Sequence, residues 1–426
     1  MPLMCPHPDA RDRQVCVHLA ADDDLDHVVR FTGVATDYLL VCSACGDDPQ
    51  LPVAGVCKDC FAVREGQVFS AIGIRGRPEV RSRVSNLRFE HRSIRVPGVV
   101  SANILAIAAL ADGDRCSWLA LVGGTLARVD LDAQRLVPIV DFSAEAGLDL
   151  AARLRLEASP DGRFAAVVNS RGHHGVVVNV ATGAITMRLE RDDYHEEHCD
   201  FSVAFFLDGE RPVLVHATAW NRLELSDPAD GTLLTPRAPT AWTDAAKSRP
   251  EHYLDYFHAG LTVSPDHRRL VDDGWVWHPV GVLRSLDLHR WRHENPWESE
   301  DGASLRELRS CAYHWDGPRC FADNRTLVAW GFGADDDHLI DAAVVYDVET
   351  GRRIRWFAGP RRGRFDIVDG HLINVAAGGT GVWDLTTGEH LLEVDGFAPI
   401  AFHAVTRCHL SIASDGELIV SRLVGD

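Results

Sequence analysis

The sequence predicts a mainly β chain, in which a small metal-stabilised domain precedes a ring of seven antiparallel four-stranded units. Three observations carry that prediction. Short apolar runs separated by Asp-Gly-type turns recur from about residue 88 to the end. A second series of Asp or Asn residues, each closing an apolar run, keeps step with the first. Cysteines crowd the beginning: of the 11 in the chain, Cys5, Cys16, Cys42, Cys45, Cys57 and Cys60 precede residue 61.

Composition bounds the reading. With 426 residues, 46% hydrophobic and 25% charged, the chain is ordinary globular material, long enough for one large domain and one small one. Its 62 acidic residues outweigh 43 basic ones and give a formal charge of −19, which opposes electrostatic attraction to nucleic acid or anionic lipid. No run of about 18 apolar residues is present to span a bilayer, and residues 1–7 lack the basic and apolar regions of a signal peptide. A cytoplasmic location is therefore expected. In a reducing compartment, CxxC pairs point to metal rather than to disulfides.

Residues 1–65 form the first expected domain. Cys42-Ser43-Ala44-Cys45 and Cys57-Lys58-Asp59-Cys60 place four thiolates on two tight knuckles that can converge as a tetrahedron. Zinc held in that way has no open position; it replaces a core that the segment is too small to build, and its role is structural. Two Cys-x-His pairs, Cys5 with His7 and Cys16 with His18, raise the potential ligands to the number that two closed sites need. Spacing alone leaves open which ligands share a site. Residues 28–34 and 38–41 read as two strands around a turn. The order Cys-x-His, an apolar run ending in Cys-x-x-Cys, then a second Cys-x-x-Cys resembles a zinc ribbon or ubiquitin-protease-type zinc finger over residues 16–60. The resemblance lies in ligand order, implies structural zinc, and does not extend to ubiquitin binding. Residues 66–87, with Arg75-Gly76-Arg77-Pro78 and no apolar period, are expected to connect this domain to the next.

Residues 88–426 carry the repeat. Asp112-Gly113, Asp161-Gly162, Asp208-Gly209, Asp266-His267, Asp323-Asn324, Asp369-Gly370 and Thr406-Arg407 each separate two apolar runs, at intervals of 37 to 58 residues. Asp, Asn and Gly tolerate the backbone angles of tight hairpins. In phase with them, Asp130, Asn179, Asp227, Asp287, Asp347 and Asp384 each end a run and precede another turn. Two turn series in the same order mean four strands per unit, and radial units of this size are what a β-propeller requires.

Gly381-Val382-Trp383-Asp384 and Ser159-Pro160-Asp161-Gly162 resemble blades of the WD40 type, although only one unit carries the literal Trp-Asp. At the C-terminus the last unit lacks room for a fourth strand, whereas residues 88–96 form an orphan strand at the start. The resemblance implies that the two join, which also removes exposed sheet edges. The expectation is a seven-bladed propeller closed by pairing of its N- and C-terminal strands.

Function is sought where the sequence leaves the repeat, because loops carry recognition while strands pack. In WD40-like rings the connections between blades and the loops between second and third strands share one face, and mapping the irregular segments onto that scheme gathers Tyr194, His195, His198, Trp242, Trp275, Trp277, Trp297, Trp315 and Asp336 there. Individually such aromatics pack inside long insertions; together they read as an aromatic and acidic recognition face for a protein or peptide. Residues 272–278, 290–315 and 235–258 are taken as loops of this face. His198, His258 and His314 fall where WD40 blades use a structural histidine. No catalytic residue is assigned, since His195-Glu196-Glu197-His198 has the wrong spacing for the metalloprotease motif. The alternative reading is a metal-dependent hydrolase or lyase using rim His and Asp/Glu residues, drawn from His173, His174, Asp193, His195, His198 and Asp335 to Asp337.

Overall fold

The computed structural model describes residues 13–21, 27–31, 38–42, 45, 53–56, 61, 74, 75, 78–113, 115–240, 242, 248–333 and 335–425. Mainly β, it contains seven consecutive antiparallel sheets among the described residues from 88 onward. Those at 104–141, 154–190, 257–312, 319–358 and 363–395 have four strands each, and that at 203–226 has three. The last sheet combines three strands of 401–424 with strand Arg88–Ile94.

Local backbone chemistry explains the regularity. Every turn of the Asp-Gly series lies between the first and second strands of its sheet. Gly113, Gly162, Gly209 and Gly370 hold left-handed φ values of 59°, 72°, 64° and 80°, which cost glycine little. His267 and Arg407 adopt the same region at 61° and 54°. The second series closes the third strands through its side chains. Asn179 Oδ1 accepts from the backbone N–H of Ala181 and Thr182, Asp347 Oδ1 from Glu349 and Thr350, and Asp384 Oδ1 from Thr386 and Thr387. An Asx turn is thus built into each.

Packing accounts for the apolar runs. Strand Phe164–Asn169 is buried at every position: Ala165 and Val167 pack with Leu119 and Leu121 of the preceding sheet, whereas Ala166 and Val168 pack with Val203 and Leu214 of the following one. Alternation therefore serves two interfaces, and the strand reads as continuously hydrophobic. Apolar clusters of this kind join each sheet to the next, and another joins Leu410 and Leu418 of the last sheet to Trp118 and Val129 of the first. Strand Arg88–Ile94 pairs antiparallel with Leu418–Val424, in the register Ile94 to Leu418 and His91 to Ser421.

The N-terminal sheet has the order Val53–Val56, Arg13–Cys16, Tyr38–Cys42, His27–Phe31, Ile74–Arg75. The hairpin read at 28–34 and 38–41 is the antiparallel pair His27–Phe31 and Tyr38–Cys42, and Ile74–Arg75, from the stretch read as a connector, lies parallel to the former. Val15, Leu40, Val41 and Phe61 belong to the same apolar cluster as Phe332, Val344 and Trp356.

Three departures from the sequence reading have physical causes. The 203–226 sheet lacks a full fourth strand. Leu233 bridges to Ser226, but Pro236 and Pro239 supply no N–H and stop the ladder. Residues 272–278 are not a loop, because strand Arg269–Val276 runs through most of them. Its Gly274 marks close packing, since a Cβ there would collide with the carbonyl oxygen of Phe257. Finally, 290–315 is not one inter-blade insertion: it holds most of helix Leu288–His293, helix Glu298–Asp301 and strand Arg306–Ala312.

Candidate functional site

One aromatic stack organises the loop face. Phe257, the first residue of its sheet's inner strand, lies parallel to Trp275 on the second strand at 3.9 Å between ring centroids. Tyr194 continues the stack on the Phe257 side at 5.7 Å, and Trp315 on the Trp275 side at 5.2 Å. Trp220 packs on Phe257 at 4.3 Å. The interior of the stack is buried, with Phe257 at 0% and Trp275 at 2% exposure, while Tyr194 and Trp277 stand 45% and 42% exposed. Trp277 meets Trp275 edge-on at 5.3 Å. Beside it lies a cavity of about 560 Å³ lined by Leu254, Tyr256, Trp277, His278, Arg284 and Arg306 among others.

A buried arginine holds the neighbouring connection, residues 191–202. Arg191, 4% exposed, donates from Nε to Gly172 O at 2.9 Å and from Nη2 to Glu196 O and Cys199 O, both at 3.1 Å. Trp315 adds a bond from Nε1 to His198 O at 2.7 Å, and the Trp220 N–H donates to Asp192 Oδ1 at 2.8 Å. Within this frame Glu196–His198 form a single 3₁₀ turn, entered through His195 at φ 57°. Glu197 Oε1 faces His198 Nε2 at 3.1 Å and His195 Nδ1 at 3.9 Å.

Under the stack lies a charged group. Asp316 accepts from the backbone N–H of Gly260 at 2.7 Å and of Asp200 at 2.9 Å. Burial, and next the Asp200 charge, push its carboxyl up to about 6. Asp273 accepts from Gly317 N and Arg319 Nη1. His258 and His314, two of the three histidines expected to be structural, are buried against carboxylates, His258 with Asp272 at 2.6 Å and His314 with Asp336 at 2.8 Å. Burial lowers His314 to about 4. His198, the third, sits at the exposed rim.

The named residues thus fall into different environments. Tyr194, His195, His198, Trp277 and Trp315 converge. Trp275 does not meet solvent as a binding residue would; its strand position buries it as support. Trp297 is half-buried, stacked on His252 at 4.4 Å. Trp242, 49% exposed, packs with Tyr253 and Arg249. Asp336 is engaged by His314. Of the wider donor set read from sequence, His173 is taken up by Glu196 at 2.6 Å, and among the described residues only His195, Glu197 and His198 gather on this face as a metal-holding group. Sequence reasoning missed Trp220 and the anchoring role of Arg191; an arginine next to a strand end in an acidic stretch was the only available signal.

At the N-terminus, Cys16, His18, Cys42 and Cys45 bring one ligand atom each within 4.8 Å of one another. His18 Nδ1 lies 3.1 Å from Cys45 Sγ and 3.6 Å from Cys42 Sγ, close to the roughly 3.6 Å edge of a tetrahedron with zinc bond lengths. Backbone N–H groups of Cys42 and Leu19 point at Cys16 Sγ, the kind of support that orients a thiolate ligand. The donors therefore fit a closed zinc site, pairing the second Cys-x-His with the first knuckle. Cys5, His7, Cys57 and Cys60 lie outside the described residues.

No family model and no curated protein matches this sequence. Among solved structures, a chain of the crystal structure of the mitotic checkpoint complex superposes with a TM-score of 0.50 at 12% identity, over 84% of this chain and 99% of that one. The β-propeller domain of Myceliophteria thermophila Cps50 (Swd1) gives 0.49 at 10% identity, over 78% and 100%. At this level of identity the likeness concerns the fold alone. No helix among the described residues is long and apolar enough to cross a membrane.

Proposed function

We propose that this chain is a cytoplasmic, non-enzymatic interaction scaffold whose aromatic and acidic loop face binds a protein or peptide partner. Residues 88–426 would form a closed seven-bladed WD40-like ring. Residues 1–65 would form a zinc-stabilised domain, with 66–87 connecting the two. Support for closure comes from the apolar clusters between successive sheets and from the pairing of Arg88–Ile94 with Leu418–Val424.

One observation carries the binding reading. Tyr194 and Trp277 are the exposed rings of a stack whose inner members are fixed by packing. Large rings presented without freedom to move lose little entropy on association, which is the property of interface hot spots. Asp193 and Glu197 stand exposed beside them and add the acidic component.

Affinity capture with full-length protein tests this reading, comparing wild type with the Tyr194→Ala/Trp277→Ala double variant. Proteins retained by the wild type should be missing from the variant. An identical captured set at equal thermal stability counts against the rim. Removal of residues 1–75 is the companion experiment, and capture that disappears with them would move recognition to the zinc domain.

A further inference from the structure

We propose that His195, Glu197 and His198 form an open, exchangeable site for a first-row divalent cation of the zinc class, separate from the cysteine-ligated site. Glu197 Oε1 lies 3.1 Å from His198 Nε2 and 3.9 Å from His195 Nδ1, and all three ligand atoms fall within 4.8 Å of one another. With metal–nitrogen and metal–oxygen bonds of about 2.0 to 2.1 Å, tetrahedral ligands stand about 3.3 Å apart and octahedral neighbours about 2.9 Å. Rotations of exposed side chains close the difference. Two imidazoles and one carboxylate suit zinc, nickel, copper or iron, and not calcium or magnesium.

The turn bearing these ligands is held before any ion arrives. Arg191 fixes the carbonyls of Glu196 and Cys199, and Trp315 fixes that of His198. His195 takes a left-handed φ of 57°, a conformation uncommon outside glycine. Its ring rests edge-on against Trp277 at 5.0 Å. Ligands on a pre-set backbone lose less entropy on closing around an ion.

Charge favours a cation as well. The chain carries a formal −19. Of the arginines at the turn, Arg191 is engaged by backbone carbonyls, and Arg171 donates to the Glu197 carbonyl and leans toward Asp200 at 3.9 Å, so neither is bonded to the Glu197 carboxylate. Three protein ligands leave at least one coordination position open, unlike the closed cysteine site. Both Tyr194 and Trp277 touch the His195 ring, and Glu197 and His198 are exposed, so the ligand set borders the exposed aromatic rim.

Cobalt(II) titration of full-length protein distinguishes the two sites. The protein is first treated with a chelator mild enough to leave the cysteine site loaded. The wild type should take up one further equivalent of Co²⁺, with visible d–d bands and without the near-ultraviolet thiolate charge transfer of a cysteine site. His195→Ala/His198→Ala should abolish that uptake. Glu197→Gln, an exposed isosteric change that leaves folding intact, should weaken it about tenfold or more, as loss of a direct ligand costs at least as much as loss of a supporting one. Thermal unfolding reports on folding in each variant. Equal non-thiolate cobalt uptake by wild type and Glu197→Gln, or none by the wild type, overturns the proposal.

Discussion

Arg237 Nη2 and Glu300 Oε1 meet at 2.7 Å with both side chains 1% exposed. Arg237 Nη1 reaches Glu224 Oε2 at 2.8 Å, so one guanidinium ties strand Arg222–Ser226 to helix Glu298–Asp301. This ion pair stands where the 203–226 sheet lacks its fourth strand. A side chain takes over a junction that backbone hydrogen bonds make elsewhere.

Replacing Arg237 with Met should therefore leave the buried Glu300 carboxylate without its cation, while Glu224 keeps Arg222, and cost about 3 to 5 kcal/mol. Glu300→Gln keeps the shape and an acceptor, and should cost about 1 to 2 kcal/mol. Urea unfolding of both variants checks the ordering, and equal losses would show that the junction depends on packing rather than on charge.

The aromatic stack predicts a division of labour. Phe257→Ala empties the centre of the stack and should destabilise by about 3 to 5 kcal/mol. Trp277→Ala removes a ring that is already 42% exposed and should cost under about 1 kcal/mol while weakening partner capture. Chemical denaturation and capture, run on the same preparations, separate the two roles.

Stability should depend on pH through two buried imidazoles. Burial lowers His216 and His314 from 6.5 to about 4. The unfolded chain takes up these protons first, so their contribution is full above pH 6.5, falls as pH drops from 6.5 to 4 and is then spent. Each is worth about 3 kcal/mol over that window. Asp316 acts in the opposite sense: raised from 3.8 to about 6, it contributes most below pH 3.8 and loses that contribution as pH rises through 6. Urea midpoints at pH 7.5 and 4.5 should differ less in His216→Gln than in wild type.

Zinc content tests the ligand pairing. Cys16→Ser and Cys42→Ser should remove the same single ion. Cys5, His7, Cys57 and Cys60, the remaining ligands of the sequence, would hold a second, so Cys57→Ser should remove one ion and leave the other. Native mass spectrometry counts them directly. If Cys42→Ser and Cys57→Ser empty one common site, the two knuckles share a zinc after all.

The parts of this molecule that were legible in the sequence are those governed by neighbouring residues. Asp384 announces its turn because its carboxylate bonds N–H groups two and three positions on, and Asp369-Gly370 supplies the angles that a hairpin requires. The Cys42-x-x-Cys45 knuckle is legible for the same local reason, but its gathering with Cys16 and His18, more than 20 positions away, is not. Likewise, Arg237 finds Glu300 across 63 residues, a pairing that no local pattern encodes. Nor does any local pattern sort the aromatics: Tyr194, Trp277 and Trp315 meet around Trp275, whereas Trp242 packs with Tyr253 and Trp297 with His252. Trp275 and Trp277 are two apart on one hairpin, and Phe257 from the neighbouring strand and Trp315 from the connection after strand Arg306–Ala312 bury the first while the second remains 42% exposed. Pro236 and Pro239 did carry the message that a strand would fail there, and the turn series overrode it.

The strand Arg88–Ile94 has a consequence for how the chain is made. Its partner is synthesised much later: His91 and the Ser421 to which it hydrogen-bonds are 330 positions apart. On the ribosome this strand emerges with both edges unpaired and stays so while six sheets form after it. A nascent chain in that state offers an open template for a neighbouring chain, and loss of strand Leu418–Val424 would leave every copy in it permanently.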